Sequence, residues 1–162
     1  MEAKGLLDGI RVLDLTRVLA GPYCGMMLAD MGAEVIKIEL PGKGDDSRAN
    51  APQIVNEEKG LKESAYYINL NRNKLGITLN LKSEKGKEIF RQLVRQSDIV
   101  LENYRPGVME KLGLGYEQLR EINPKIIYGA VSGFGHTGPY SKRAGYDIVG
   151  QAMSGLMSTT GW

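Results

Sequence analysis

Arg72, Lys74, Arg105 and Lys111 are cations in or beside loops that border strand-length apolar runs. Three glycine-bearing turns accompany them, at residues 20–23, 103–107 and 133–139, and Tyr104 adds an aromatic ring. Placed at the strand ends of one sheet, these turns converge, and the polar 71–74 turn brings Arg72 and Lys74 to the same edge. A cleft of cations, glycine N–H groups and an aromatic ring suits a phosphorylated, adenine-bearing ligand. The same residues also read as solvated cations on ordinary loops, and residue type alone leaves both readings open. His136 is the single histidine and Cys24 the single cysteine, so multi-histidine and thiolate metal sites are excluded. His136 reads as a turn residue, Cys24 as a buried structural thiol, and Asp147, ahead of an apolar run, as a helix N-cap. No G-x-S-x-G elbow is present, and Leu19-Ala20-Gly21-Pro22 is not the dinucleotide fingerprint G-x-G-x-x-G.

The elements that must position these residues begin with residues 9–39. Ile10, Val12, Leu13 and Leu15 form a strand-length apolar run, and Gly21-Pro22 puts proline near a helix start. Met26, Met27, Leu28 and Met31 are spaced for one buried helix face, with Gly32 as C-terminal cap. Val35, Ile36 and Ile38 make the next strand. Two strands joined through a helix this short run parallel, which makes the segment a right-handed βαβ unit. Its helix starts just past the C-terminal end of the first strand. That is a position for an anion, and equally an ordinary structural crossover.

Residues 40–63 lack periodicity and read as a long loop, followed by a short strand at 66–70 and an alternating strand at 77–81. Ser83 and Glu84 open a helix whose apolar stripe is Ile89, Phe90, Leu93 and Val94. A buried strand at 98–101, short helices at 108–112 and 116–122, a strand at 126–131 and a helix at 147–156 complete the pattern. Alternating strands and helices argue for an α/β fold with a mostly parallel sheet and flanking helices. The 162 residues suit one domain, with 42% apolar and 25% charged residues. A net charge of +2, with the two signs interspersed, argues against a nucleic-acid surface. No run is long enough to span a membrane and no signal-peptide core is present, so a cytoplasmic protein is expected. The chain stops right after an apolar stretch, at 158–162, as a fragment of a longer protein would.

Taken together, TRVLAGPYCG (16–25), GAEVIKIELPGKGD (32–45), NRNK (71–74), LENYRPGV (101–108), SGFGHTGPY (132–140) and AGYDIVGQAMSG (144–155) resemble the class III CoA-transferases, the family of formyl-CoA transferase and carnitine CoA-transferase. The resemblance runs over essentially the whole chain. It implies a Rossmann-like large domain, of which residues 1–162 are the N-terminal portion, a separate small domain, and a homodimer of interlocked chains. The implied reaction moves CoA from an acyl-CoA to a carboxylic acid through aspartyl anhydride and enzyme thioester intermediates, with no permanent cofactor and no metal. The catalytic aspartate of the family falls just beyond the stretch matching 158–162, so this chain carries no catalytic residue and is expected to be inactive. By the same resemblance, Arg17 and Ala20 lie in the loop near the CoA thiol. Asn71, Arg72, Asn73, Lys74, Asn103, Tyr104 and Arg105 line the nucleotide and pantetheine path. Lys111 replaces a phosphate-binding arginine, and Leu40-Pro41 departs from an arginine-rich pair. Related α-methylacyl-CoA racemases carry histidine-aspartate where this chain has Tyr146-Asp147. Tyrosine is a poor base for that chemistry, so Tyr146 is expected to contact the acyl-CoA instead. A non-catalytic nucleotide-binding domain is the remaining alternative.

Overall fold

Val12 and Leu13 are fully buried because their strand, β1 (Arg11–Asp14), runs through the middle of a five-stranded sheet. The computed structural model describes residues 5–58 and 60–161; Trp162, at the end of the last stretch read above, lies outside them. Along β1, side chains alternate between two apolar layers. Leu13 joins Ile38, Phe90, Val94, Val100 and Leu119 on one face, while Val12 joins Ala29, Ala33, Val35 and Leu101 on the other.

The chain leaves β1 through α1 (Ala20–Asp30) and returns as β2 (Glu34–Glu39), parallel to β1 with Leu13 opposite Ile36. After a 3-10 turn at Asp46–Ala49 come β3 (Gln53–Asn56) and β4 (Leu61–Ser64), a separate antiparallel hairpin. Then follow α2 (Ala65–Asn71) and β5 (Lys74–Thr78), which adds beside β2. α3 (Glu84–Val94) carries the chain back across the sheet to β6 (Ile99–Glu102) on the free side of β1. The short helices α4 (Val108–Lys111) and α5 (Tyr116–Ile122) lead to β7 (Ile127–Ala130), and α6 (Asp147–Met153) and α7 (Leu156–Thr160) close the chain. All five main strands are parallel, in the order β5-β2-β1-β6-β7. The order reverses between β1 and β6, and the loops after those strands diverge there. Such a switch point opens a crevice at the C-terminal edge.

The βαβ unit, α3 with its Ser83 cap and buried Phe90 and Val94, α5, β6 and β7 follow the sequence reading. Six expectations are corrected. On α1, Met27 and Met31 are exposed, and the face against the sheet is Gly21, Pro22, Gly25, Met26 and Ala29. The helix passes too close to β1 for larger side chains. A Cβ at Gly25 would sit 2.6 Å from Asp14 Oδ2, and one at Gly21 2.4 Å from Thr16 Cβ. The 40–63 stretch is a 3-10 turn and a hairpin rather than a loop, opened by Asp45 accepting from the Ser47 N–H. Residues 66–70 are helical, because Ser64 caps α2 by accepting from the Tyr67 N–H and overrides the strand preference of Tyr66-Tyr67-Ile68. β5 starts at Lys74, ahead of the 77–81 strand read from alternation, since pairing Val35 with Lys74 satisfies the edge of β2. The last helix is broken in two by Gly155 at φ +81°, and Tyr146 rather than Asp147 holds the α6 N-cap position, with no side-chain cap.

Asp14 cannot yield space to a side chain at position 25. Its carboxylate is held by Lys74 Nζ at 2.8 Å and by the backbone N–H and hydroxyl of Thr16. Gly25→Ala is therefore expected to cost about 1–3 kcal/mol of folding stability by overpacking, measured by urea titration. A variant as stable as the parent would show that α1 can move away from β1.

Candidate functional site

Among the described residues, Asp14, Lys37, Glu39, Asp45 and Glu102 are buried charged residues, all but Asp45 at the C-terminal half or end of their strands and Asp45 in the loop after β2. Buried charges persist only when paired. The pairing here organises the loops at the switch point.

Lys37 Nζ lies 2.7 Å from Asp45 Oδ2 and also donates to the Thr16 carbonyl; the pair's side chains are 1% and 0% exposed. The other oxygen of Asp45 accepts from the Val18 N–H at 3.1 Å and from the N–H and hydroxyl of Ser47. From the β6 side, Asn103 Oδ1 accepts from the Arg17 N–H at 2.8 Å, and Asn103 Nδ2 donates to the Arg17 carbonyl at 2.7 Å. The loops after β1 and β6 are thus locked together across the switch point. Within this lock the Arg17 guanidinium lies 5.4 Å from the centre of the Tyr104 ring and 3.3 Å from Asp46 Oδ2.

The third loop joins through Glu102. Its carboxylate accepts from the Tyr104 N–H at 2.7 Å and lies 3.7 Å from His136 Nε2. Burial raises the Glu102 carboxyl above its ordinary range, against the pull of the Tyr104 amide and His136. Gly133 and Gly145 touch backbone to backbone, a Cβ at Gly133 meeting Gly145 Cα at 2.5 Å. That contact sets Tyr146, 78% exposed, just after the glycine-rich loop. The loops at 20–23, 103–107 and 133–139 therefore share the C-terminal edge, as expected. Ala20, Arg105 and Lys111 are exposed on or next to them.

The 71–74 turn does not join them. β5 runs parallel to β2 and begins at Lys74, so Arg72 and Asn73 lie at the opposite, N-terminal edge. Both bond to Asp30 at the far end of α1, Arg72 Nη2 at 2.6 Å and Asn73 Nδ2 at 2.8 Å. The side chains of Lys74 and Asn71 meet beneath the first turn of α1 instead. The Lys74 ammonium has three N–H donors, and they meet Asp14 Oδ2, the Pro22 carbonyl and Asn71 Oδ1 at 2.8, 2.9 and 3.0 Å. With its side chain 1% exposed, Lys74 neutralises Asp14 under α1. Burial lowers its pKa, opposed by the Asp14 charge. Cys24, half-buried on α1, has its thiol pKa raised by burial and by Asp14, which leaves it a poor nucleophile.

On the β2 side, Arg48 grips Glu39 with two parallel bonds of 2.8 Å and stacks on Tyr67 at 3.7 Å from the ring centre. The Tyr67 hydroxyl donates to Glu39 at 2.6 Å. This ties the 3-10 turn and α2 to the strand end, beside an open depression of about 500 Å³ that includes Leu40, Lys43 and Thr78. Asp14, Lys37, Glu39, Asp45 and Glu102 escaped the sequence reading. The signal for four of them was visible: each is a charged residue inside or closing an apolar strand run, where it has to find a partner.

The model of CoA-transferase family III matches residues 7–162. This chain belongs to that family. The human succinyl-CoA:glutarate CoA-transferase is 52% identical over 155 residues, covering 96% of this chain and 34% of the relative. The acetyl-CoA:oxalate CoA-transferase of Acetobacter aceti is 48% identical over 161 residues, covering 99% of this chain and 40% of the relative. A crystal structure of a CAIB/BAIF family protein from Brucella suis superposes with a TM-score of 0.90 at 47% identity, over 96% of this chain and 40% of that one. This family III chain therefore spans 34% to 40% of the length of these proteins. Among its described residues, no helix is long and apolar enough to cross a membrane.

Glu39 gives the family III chain a titration signature. Burial alone would raise its pKa, but Arg48, Tyr67 and the Asp45 amide outweigh burial and bring it from 4.5 to about 2. A depressed carboxyl stabilises the fold fully above its unfolded pKa, and that contribution is lost as pH falls from about 4.5 toward 2. Glu39→Gln is expected to lower stability at pH 7 and to flatten the acid limb, as followed by urea midpoints between pH 7 and 3. An acid limb as steep as the parent's would place the titration elsewhere.

Proposed function

We propose that the whole protein containing this chain transfers CoA from an acyl-CoA to a small carboxylic acid, and that this chain supplies most of the CoA cleft. The observation that carries the reading is the Asn103–Arg17 lock across the switch point, in a chain of this family. Two of the named relatives are CoA-transferases by name, one acting with succinyl-CoA and glutarate and the other with acetyl-CoA and oxalate. In the proposed reaction an aspartate carboxylate attacks the thioester carbonyl and expels CoA thiolate, leaving an acyl-aspartyl anhydride. The thiolate then attacks the aspartyl carbonyl, releasing the donor acid and forming an enzyme thioester, from which the acceptor acid takes up CoA. Covalent catalysis divides one hard transfer into easier steps. Residues 1–162 do not supply that aspartate in this reading. They form the N-terminal portion of a large domain whose small domain and returning segment lie elsewhere in the whole protein, and two copies interlock.

Within the cleft, Arg17, Ala20, Asn103, Tyr104 and Arg105 face the pantetheine and thioester end, and Lys111 offers a point charge to phosphate. A lysine there neutralises charge without the bidentate fork of arginine. Tyr146, exposed beside the glycine-rich loop, contacts the acyl group. A tyrosine at that place argues against the α-carbon proton abstraction of a racemase.

CoA at 100 times its Kd is expected to stabilise the folded chain by about 2.7 kcal/mol, seen as a raised thermal midpoint, whereas NADH leaves the midpoint unchanged. Lys111→Ala is expected to weaken CoA about tenfold in the same assay, the scale of one hydrogen bond to a charged group. A cooperative melt that CoA does not shift, or that NADH shifts equally, would sink the proposal.

A further inference from the structure

We propose that the buried Lys37–Asp45 pair is a positioning device that holds the loop after β1 in a strained shape from both sides of Arg17. The role in ligand binding rests on the CoA reading above. The two peptide groups flanking the Arg17 Cα have all four of their polar atoms taken. In the first, the Thr16 carbonyl accepts from Lys37 and the Arg17 N–H donates to Asn103. In the second, the Arg17 carbonyl accepts from Asn103 and the Val18 N–H donates to Asp45. One ion pair on the β2 side and one carboxamide on the β6 side therefore grip the same dipeptide.

The result is visible in the backbone. Val18 stands at φ +69°, in the left-handed region, where a β-branched side chain is a strained outlier. Strain of this kind persists only where the surroundings over-determine the conformation. Val18 is 40% exposed, so packing of its own side chain does not hold it there. The hydrogen bonds do. Stability alone is a weak reason for a buried ion pair, because apolar residues of similar volume often serve as well. An apolar pair, however, offers neither a donor to the Thr16 carbonyl nor an acceptor for the Val18 N–H. The pair also lies 8 residues apart in sequence, on a strand and on the loop that follows it, so it fastens the β1 loop to the end of β2. Lys37 and Asp45 are positioning residues, acting through Arg17 and Val18.

The test uses the full chain and the double variant Lys37→Met/Asp45→Leu, which removes the donor to the Thr16 carbonyl and the acceptor for the Val18 N–H without leaving a lone charge buried. Amide hydrogen exchange at Arg17 and Val18 is expected to rise at least tenfold, with Val12, Leu13 and Val35 in the sheet unchanged. CoA affinity by calorimetry is expected to fall about tenfold. Unchanged exchange at Arg17 and Val18 overturns the clamp. Faster exchange with unchanged CoA affinity overturns its role in binding. If the parent chain itself does not bind CoA, the CoA reading fails while the clamp is still judged by exchange alone. Should the double variant not fold, Val18→Asn in the parent decides the matter. Asparagine tolerates the left-handed region, so relief of held strain raises the thermal midpoint by about 2 °C. An unchanged or lower midpoint shows that no strain is held and overturns the proposal.

Discussion

Charges taken out of water at the C-terminal end of a parallel sheet have to be neutralised and hydrogen-bonded, and this requirement shapes the molecule around β1 and β2. Asp14 and Lys74 pair beneath the first turn of α1, and Lys37 and Asp45 pair at the neighbouring strand end. Each member has further hydrogen bonds to backbone groups of adjacent loops. Buried pairs are worth little as glue when weighed against their desolvation. Their value here lies in direction. Their further bonds to the Thr16 carbonyl and the Val18, Thr16 and Ser47 N–H groups specify where the loops must run.

The close approach of α1 to β1 follows from the same constraint. Lys74 reaches both Asp14 and the Pro22 carbonyl, which draws the first turn of the helix onto the strand end. Gly21 and Gly25, one turn apart on the same face, leave the space that this approach needs. Glu39 performs a parallel task farther along the edge. With Arg48 and Tyr67 it joins the 3-10 turn, α2 and the end of β2 into one unit. The C-terminal edge is thus a rim of loops held by buried and partly buried side chains, while Arg105, Lys111 and Tyr146 remain exposed along it.

Much of the fold was legible because local signals agreed with burial. Ser83 before an amphipathic run, Gly32 after a helix, and apolar runs of strand length each specified an element that formed. The methionines of α1 misled because their spacing marks a face without saying whether the neighbouring strand leaves room for it. Residues 66–70 misled because strand propensity is a weak preference, and one serine cap with tertiary packing outweighed it. At the C-terminal edge, Arg17 lies against Asn103 and Tyr104, a pairing that no local pattern reported. Arg72 and Asn73 were separated from them by strand direction, since a residue before a parallel strand lies at the other edge from a residue after one.

By itself the sequence determined the alternation of strands and helices, the parallel βαβ opening and the family to which the chain belongs. These rest on periodicities, caps and motifs that are local and survive without knowledge of neighbours. Only the tertiary structure decided which cations stay exposed and which are buried in pairs within the fold. Lys74 and Asp14 are 60 residues apart in the chain and 2.8 Å apart in space, and no local pattern reports such a pairing. The strained Val18 has the same origin: the bonds that hold it come from β6 on one side and from the β2 end on the other. Long-range hydrogen bonding, rather than residue type, separates a structural charge from an available one.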